Sequence, residues 1–149
     1  MSEKKKKINR RHQARRYTIQ VLYQWHINGG SIAQNFEEFV TEHPPKNVDQ
    51  NYFKELLLAT VENVQETDGL MSQHLDRKVE ELDPIELAVL RLSVYELKHR
   101  MDVPYRVVIN EALELAKVFG AQDSYKYVNG VLDSLAPKLR EFEVAARKK

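Results

Sequence analysis

The side chains best able to do chemistry in this chain are cations. Lys4 to Lys7, Arg10, Arg11, Arg15 and Arg16 all fall within the first sixteen residues, against a single acid, Glu3. The whole chain has 23 basic and 22 acidic residues, so removing the head's eight and one leaves 15 and 21, a body near −6. A basic head on an acidic body points to nucleic acid or another anionic surface at the head, and to a basic partner for the body. The alternative for the lysine run is a solvated tail that self-repulsion leaves disordered and that serves solubility alone.

The arginines have a helical spacing. At about 100° per residue, Arg11, Arg15, Ile19, His12, Tyr23 and Arg16 share one arc, beside an apolar stripe of Ala14, Tyr17, Thr18, Val21, Leu22 and Trp25. Ordered guanidinium groups with an aromatic ring nearby can hold phosphates and stack on bases; the plain alternative is a solvated helix face. A second group lies at Asp123-Ser124-Tyr125-Lys126-Tyr127, just after Gly120. A helix starting there would point backbone N–H groups from Ser124 onward at a phosphate, with a charge on Lys126 and rings on Tyr125 and Tyr127. The alternative is an ordinary helix start with one tyrosine in the core.

Other chemistry finds little material. There is no cysteine, which excludes disulfides, thiol catalysis and cysteine metal sites and fits a reducing cytoplasm. The five histidines form no HExxH-type pair, the five glycines form no phosphate-cradling loop, and no nucleophile motif surrounds a serine. No enzyme, metal or cofactor is expected. No apolar run approaches the roughly 18 residues of a membrane span, so no membrane contact is expected either.

The elements that must position these residues read as helical throughout, which predicts an all-α fold of about seven helices. The first helix ends at Gly29-Gly30, Ser31 caps a second that His43-Pro44-Pro45 stops, and Asp49 opens a longer one with a break near Gly69. Asp76 to Leu82 reads as a charged connection. Asp83, Pro84 and Glu86 then give strong start signals for a helix apolar on two faces, the centre of the second half. Pro104 and Gly120 bracket the next helix, and another runs from Ser124 to Ala136, where Pro137 breaks it or begins the last. The chain divides into a basic head (1–9), an N-terminal helical half (10–75) and a C-terminal half (83–149), one helical domain in all.

Three stretches, RRHQARRYTIQVLYQW, DPIELAVLRLSVYELKHRMDVPYRVVINEALELAKVFG and AQDSYKYVNGVLD, together resemble the NusB family of bacterial transcription antitermination factors, in order and over nearly the whole chain. The resemblance implies an all-helical domain of two small subdomains, without catalysis or cofactor. It implies pairing with NusE, a small-subunit ribosomal protein, and binding of the pair to the single-stranded boxA segment of ribosomal RNA leaders, in a complex on RNA polymerase. The related domain is also found fused to a ribosomal RNA methyltransferase, and a chain of this length is expected to be the stand-alone factor. Carried over by position, the arginine-rich motif falls on Arg10, Arg11, Arg15 and Arg16, with Lys7 beside it; His12 and Gln13 interrupt a cluster that is often denser in the family. The second RNA-contacting patch falls on Asp123, Ser124, Lys126 and Tyr127, and the partner surface on Tyr23, Glu80 and Glu86. The competing reading is a protein-only helical scaffold or self-associating module with a solvating basic head.

Overall fold

The computed structural model describes residues 2–147, which form eight α-helices and one short 3-10 helix, with no strand among them. They gather into two compact units, one ending at Glu62 and the other beginning at Asn63.

The first unit holds α1 (Glu3–Asn28), α2 (Ile32–Glu42) and α3 (Gln50–Glu62). The lysine run that could have been a disordered tail is part of α1: the Ser2 hydroxyl accepts the Lys5 N–H at 3.1 Å, Glu3 sits in the first turn, and lysine is a good helix former. At the other end Gly29 (φ 70°) and Gly30 (φ 78°) take left-handed backbone that a Cβ would strain, and the chain reverses. The buried Asn35 amide holds that reversal, donating to the carbonyls of Gly29 and Ser31, both at 2.9 Å. The helix α1 packs on both α2 and α3. Their shared core is Ala14, Thr18, Val21, Leu22, Phe39, Phe53, Leu56 and Leu57, with the Tyr17 ring 5.9 Å from Phe39 and 5.8 Å from Phe53.

The second unit holds α4 (Val64–Ser72), the 3-10 helix (Val79–Glu81), α5 (Pro84–His99), α6 (Tyr105–Phe119), α7 (Ser124–Leu139) and α8 (Glu141–Arg147). The expected break near Gly69 lies instead at Asn63, whose φ −102°, ψ 17° leaves the helical region, while Gly69 sits inside α4. The two-faced helix is α5, and it packs against α4, α6 and α7. Asp83 starts it by accepting the N–H groups of Ile85 (2.8 Å) and Glu86 (3.3 Å), and Leu87 to Leu90 and Leu92 to Leu97 are all buried. Pro137 neither breaks α7 nor begins the next helix. It lies inside α7 with Asp133 and Pro137 both exposed, so the carbonyl left without its N–H partner has access to water.

A buried arginine closes the second unit. Arg140, 3% exposed, donates to the carbonyls of Leu97 (2.7 Å), Arg100 (3.0 Å) and Glu96 (3.2 Å), and to Glu143 Oε1 (2.6 Å). These carbonyls lie at the C-terminal end of α5, where the dipole favours a cation; those of Glu96 and Arg100 also accept the N–H groups of Arg100 and Val103, both at 3.0 Å. The other oxygen of Glu143 accepts the Tyr105 N–H at 2.7 Å, so the same ion pair also holds the start of α6.

Candidate nucleic-acid interface

In the first unit the side chains of Lys4 to Lys7 are exposed, Arg10, Arg11 and Arg16 are partly exposed, and Arg15 is only 3% exposed. The exposed arc expected from helical spacing therefore needs correction at two positions, Arg15 and Ile19, both buried. For Arg15 the cover is Tyr52 on α3. The guanidinium carbons of Arg11 and Arg15 lie 4.2 and 5.4 Å from the centroid of its buried ring, two cation–π contacts on one tyrosine. Asp49 ties the arrangement down. One carboxylate oxygen accepts the Tyr52 N–H (3.0 Å), the other lies 4.0 Å from Arg11 Nε, and its own N–H donates to the Arg10 carbonyl (3.1 Å). On α1, Lys4 to Lys7 are thus the exposed cations, with Arg10, Arg11 and Arg16 partly exposed. Tyr23, 41% exposed, is on the solvent side of α1.

In the second unit, the start of α7 differs from an open phosphate cradle. The Ser124 N–H donates to the Ala121 carbonyl and the Lys126 N–H to the Asp123 carbonyl, both at 3.1 Å, so these two donors are already used. Ser124 is also buried, 5% exposed, and packs close to Gly120, where an added Cβ would come within 2.7 Å of the Ala116 carbonyl oxygen and 3.0 Å of Ser124 Cβ. On the surface remain Asp123 and Lys126, 3.4 Å apart in an exposed pair, and Tyr127.

Tyr127 has partners that sequence reasoning passed over, because they lie in the charged connection 51 residues earlier. Its hydroxyl donates to Asp76 Oδ1 (3.1 Å), Arg77 holds the same carboxylate with two bonds (2.8 and 3.2 Å), and the Arg77 guanidinium lies 4.8 Å from the Tyr127 ring centroid. The hydrogen bonds from Arg77 above all, then from Tyr127, hold the Asp76 carboxyl below its usual range. Burial, then the bond to Asp76, pushes the Tyr127 hydroxyl up. Arg77 is raised chiefly by Asp76, and the charge of Glu86 adds to the effect. Tyr125 likewise lies beneath a cation, Lys117 Nζ, at 5.0 Å. Each ring thus carries a cation over its face rather than standing bare. Glu80 is exposed on the 3-10 helix and Glu86 is partly exposed in the first turn of α5. Sequence reasoning also missed Asn9 and Asn47, which line a cavity beside Arg10.

These elements can be compared with known proteins. The family model described as the NusB family matches residues 12–137. The chain belongs to the NusB family. It is 55% identical over 141 residues to the transcription antitermination protein NusB of Pasteurella multocida (strain Pm70), covering 93% of this chain and 98% of that one. With the NusB protein of Pseudomonas savastanoi pv. phaseolicola (strain 1448A / Race 6) the identity is 53%, over 97% and 88% of the two chains. Among solved structures, it is similar to one of the antitermination factors NusB and NusE in complex with double-stranded RNA, with a TM-score of 0.80, 30% identity, and coverage of 87% of this chain and 98% of the other. No helix among the described residues is long and apolar enough to cross a membrane.

Proposed function

We propose that the protein is a non-enzymatic transcription antitermination factor of the cytoplasm. It binds single-stranded boxA RNA of ribosomal RNA leader transcripts as a heterodimer with NusE, within a complex on RNA polymerase. The observation that carries the RNA part is the exposed run Lys4 to Lys7 continued by the partly exposed Arg10 and Arg16 on one helix, which Asp49, just before α3, and Tyr52 on α3 hold in place. Cations on a braced helix meet a phosphate chain with little ordering cost, and they set its position without reading its sequence. The family relatives support the antitermination role, and the structural neighbour's complex of NusB and NusE with double-stranded RNA supports NusE and RNA as the partners.

At the second patch the Arg77 guanidinium lies 4.8 Å from the Tyr127 ring centroid, so base stacking there runs through Arg77 as well as through the ring. Lys126 is the cation beside it, and Asp123 partly neutralises it. Ser124 serves this patch by packing on Gly120, which fixes the start of α7. Tyr23, Glu80 and Glu86 are assigned to the partner, the two acids matching the basic character expected of a ribosomal protein.

The test is a titration of boxA-like single-stranded RNA, a scrambled strand, duplex RNA and duplex DNA, each with and without NusE. The boxA-like strand should bind most tightly, and more tightly with NusE present. Equal affinity for duplex and single strand would refute the single-strand assignment. Pairing with NusE but no affinity for any RNA would leave a protein-only scaffold.

A further inference from the structure

The first unit contains a cavity of about 450 Å³ between α1 and the loop before α3, lined by Lys6, Asn9, Arg10, His12, Gln13 and Asn47. We infer that this cavity is a base-reading pocket, which takes one unstacked base of the bound RNA and discriminates it through the carboxamides of Asn9, Gln13 and Asn47. The inference rests on the RNA-binding reading above and adds a source of sequence preference that the exposed cations cannot supply.

The lining has the required chemistry. All six side chains carry an N–H donor and none is an acid, so the pocket favours an electron-rich ligand. Glu3 lies 3.6 Å from Lys6 in an exposed pair of the kind that contributes little, and Asp49, whose N–H donates to the Arg10 carbonyl, has its carboxylate engaged by the Tyr52 N–H and Arg11 Nε. A site for phosphate alone would need only the cations. Three carboxamides add both donors and acceptors, the alternation that the edge of a base presents, and specific RNA recognition usually proceeds through splayed-out bases read this way. The volume falls within the roughly 300–1,000 Å³ of pockets that hold small molecules.

The pocket is also held in shape. The Asp49 N–H donates to the Arg10 carbonyl (3.1 Å) and the Lys46 N–H to the Tyr17 hydroxyl (3.5 Å), fastening the loop to α1 on both sides of Asn47. Asn47 itself has φ 51°, the only non-glycine positive φ among the described residues. Asparagine tolerates this conformation better than most residues, and a backbone held there by its surroundings is the kind of arrangement found where a side chain must be aimed.

The test measures affinity, with NusE present, for a series of single strands in which each position of one sequence is changed in turn. For the unaltered protein, one position should cost about 5- to 150-fold when changed, the range of one paired base contact. Gln13→Ala and Asn47→Gly, the latter chosen because glycine accepts the positive φ, should each bring the original strand down to the affinity of the strand changed at that position. The salt dependence should stay as it was. Variants that keep the full preference, or that weaken all strands alike, would overturn the pocket assignment while leaving RNA binding intact. An unaltered protein that binds RNA without preferring any position would do the same. If it bound no RNA at all, the underlying reading would fall as well. Circular dichroism melts establish that each variant is folded, and either variant alone is sufficient for the test.

Discussion

Arg15 and Arg16 are neighbours in sequence, yet the fold gives them different environments, and this difference can be measured. Arg16 is partly exposed, whereas Arg15 is 3% exposed with its guanidinium 5.4 Å from the Tyr52 ring. On a single strand each phosphate contact contributes roughly −0.7 to the slope of log affinity against log salt. Between about 50 and 200 mM salt, a span of roughly 0.6 log units, one contact therefore accounts for about 0.4 log units, or roughly 2.6-fold. Arg16→Met removes the charge and keeps the stem, so the affinity lost over that salt range should shrink by about 2.6-fold. Combining it with Lys7→Met should shrink the loss by about 7-fold. Arg15→Met should leave the slope unchanged and lower stability instead. The loss is on the order of 1–2 kcal/mol for a desolvated cation–π contact, with a fall in Tm of roughly 2–8 °C. Fluorescence anisotropy across a salt series, paired with thermal melts, reads both quantities. If Arg15→Met flattened the slope as Arg16→Met does, the division between a supporting and a phosphate-facing arginine would be wrong.

Replacing Arg140 with Met should destabilise the second unit by about 1–3 kcal/mol, because the buried Leu97 carbonyl loses its 2.7 Å donor, while the ion pair to the partly exposed Glu143 adds little; a urea melt measures it. Glu86→Lys should weaken pairing with NusE more than direct RNA binding. The α5 cap is supplied by Asp83, so a melt close to that of Glu86→Gln is the control, and normal pairing would refute the interface assignment. A difference titration of the protein against its Tyr127→Phe variant should show Tyr127 ionising above the ordinary tyrosine value of 10.0, and Asp76→Asn should bring it partly down. The sign is that of a raised group: Tyr127's contribution to stability is fully present below the unfolded value and is lost as pH rises through the folded one. The depressed Asp76 works the other way. Its contribution is present above the ordinary carboxylate range and lost as pH falls through the lower folded value.

The helix starts and stops were the most legible part of this chain, because a cap acts within a few residues. Asp83-Pro84 and Gly29-Gly30 each signal an end by local chemistry, and each lies where it was expected. Arg15 and Ile19 were misjudged because a helical wheel shows which residues share a face but not how many neighbours cover it. The helix α1 packs on both α2 and α3, so its buried arc is wider than one stripe, and Tyr52 makes a buried arginine tolerable. Asp76 and Arg77 escaped notice for a different reason: no periodicity links a charged connection to a tyrosine 51 residues on. The break at Asn63 rather than Gly69 shows that a glycine can remain inside a helix, at a cost of about 1 kcal/mol relative to alanine.

The clamp at Arg140 also imposes a schedule on the newborn chain. Its acceptors at Glu96, Leu97 and Arg100 precede it by 44, 43 and 40 residues. At about 5–20 residues per second, a ribosome takes roughly 2–9 s to travel from the end of α5 to the residue that caps it. During that interval the Leu97 carbonyl has only water or a temporary partner, while the three helices of the first unit are already complete in the emerging chain. The basic helix α1 is therefore made early and can fold with its neighbours before the second unit acquires its last fastening.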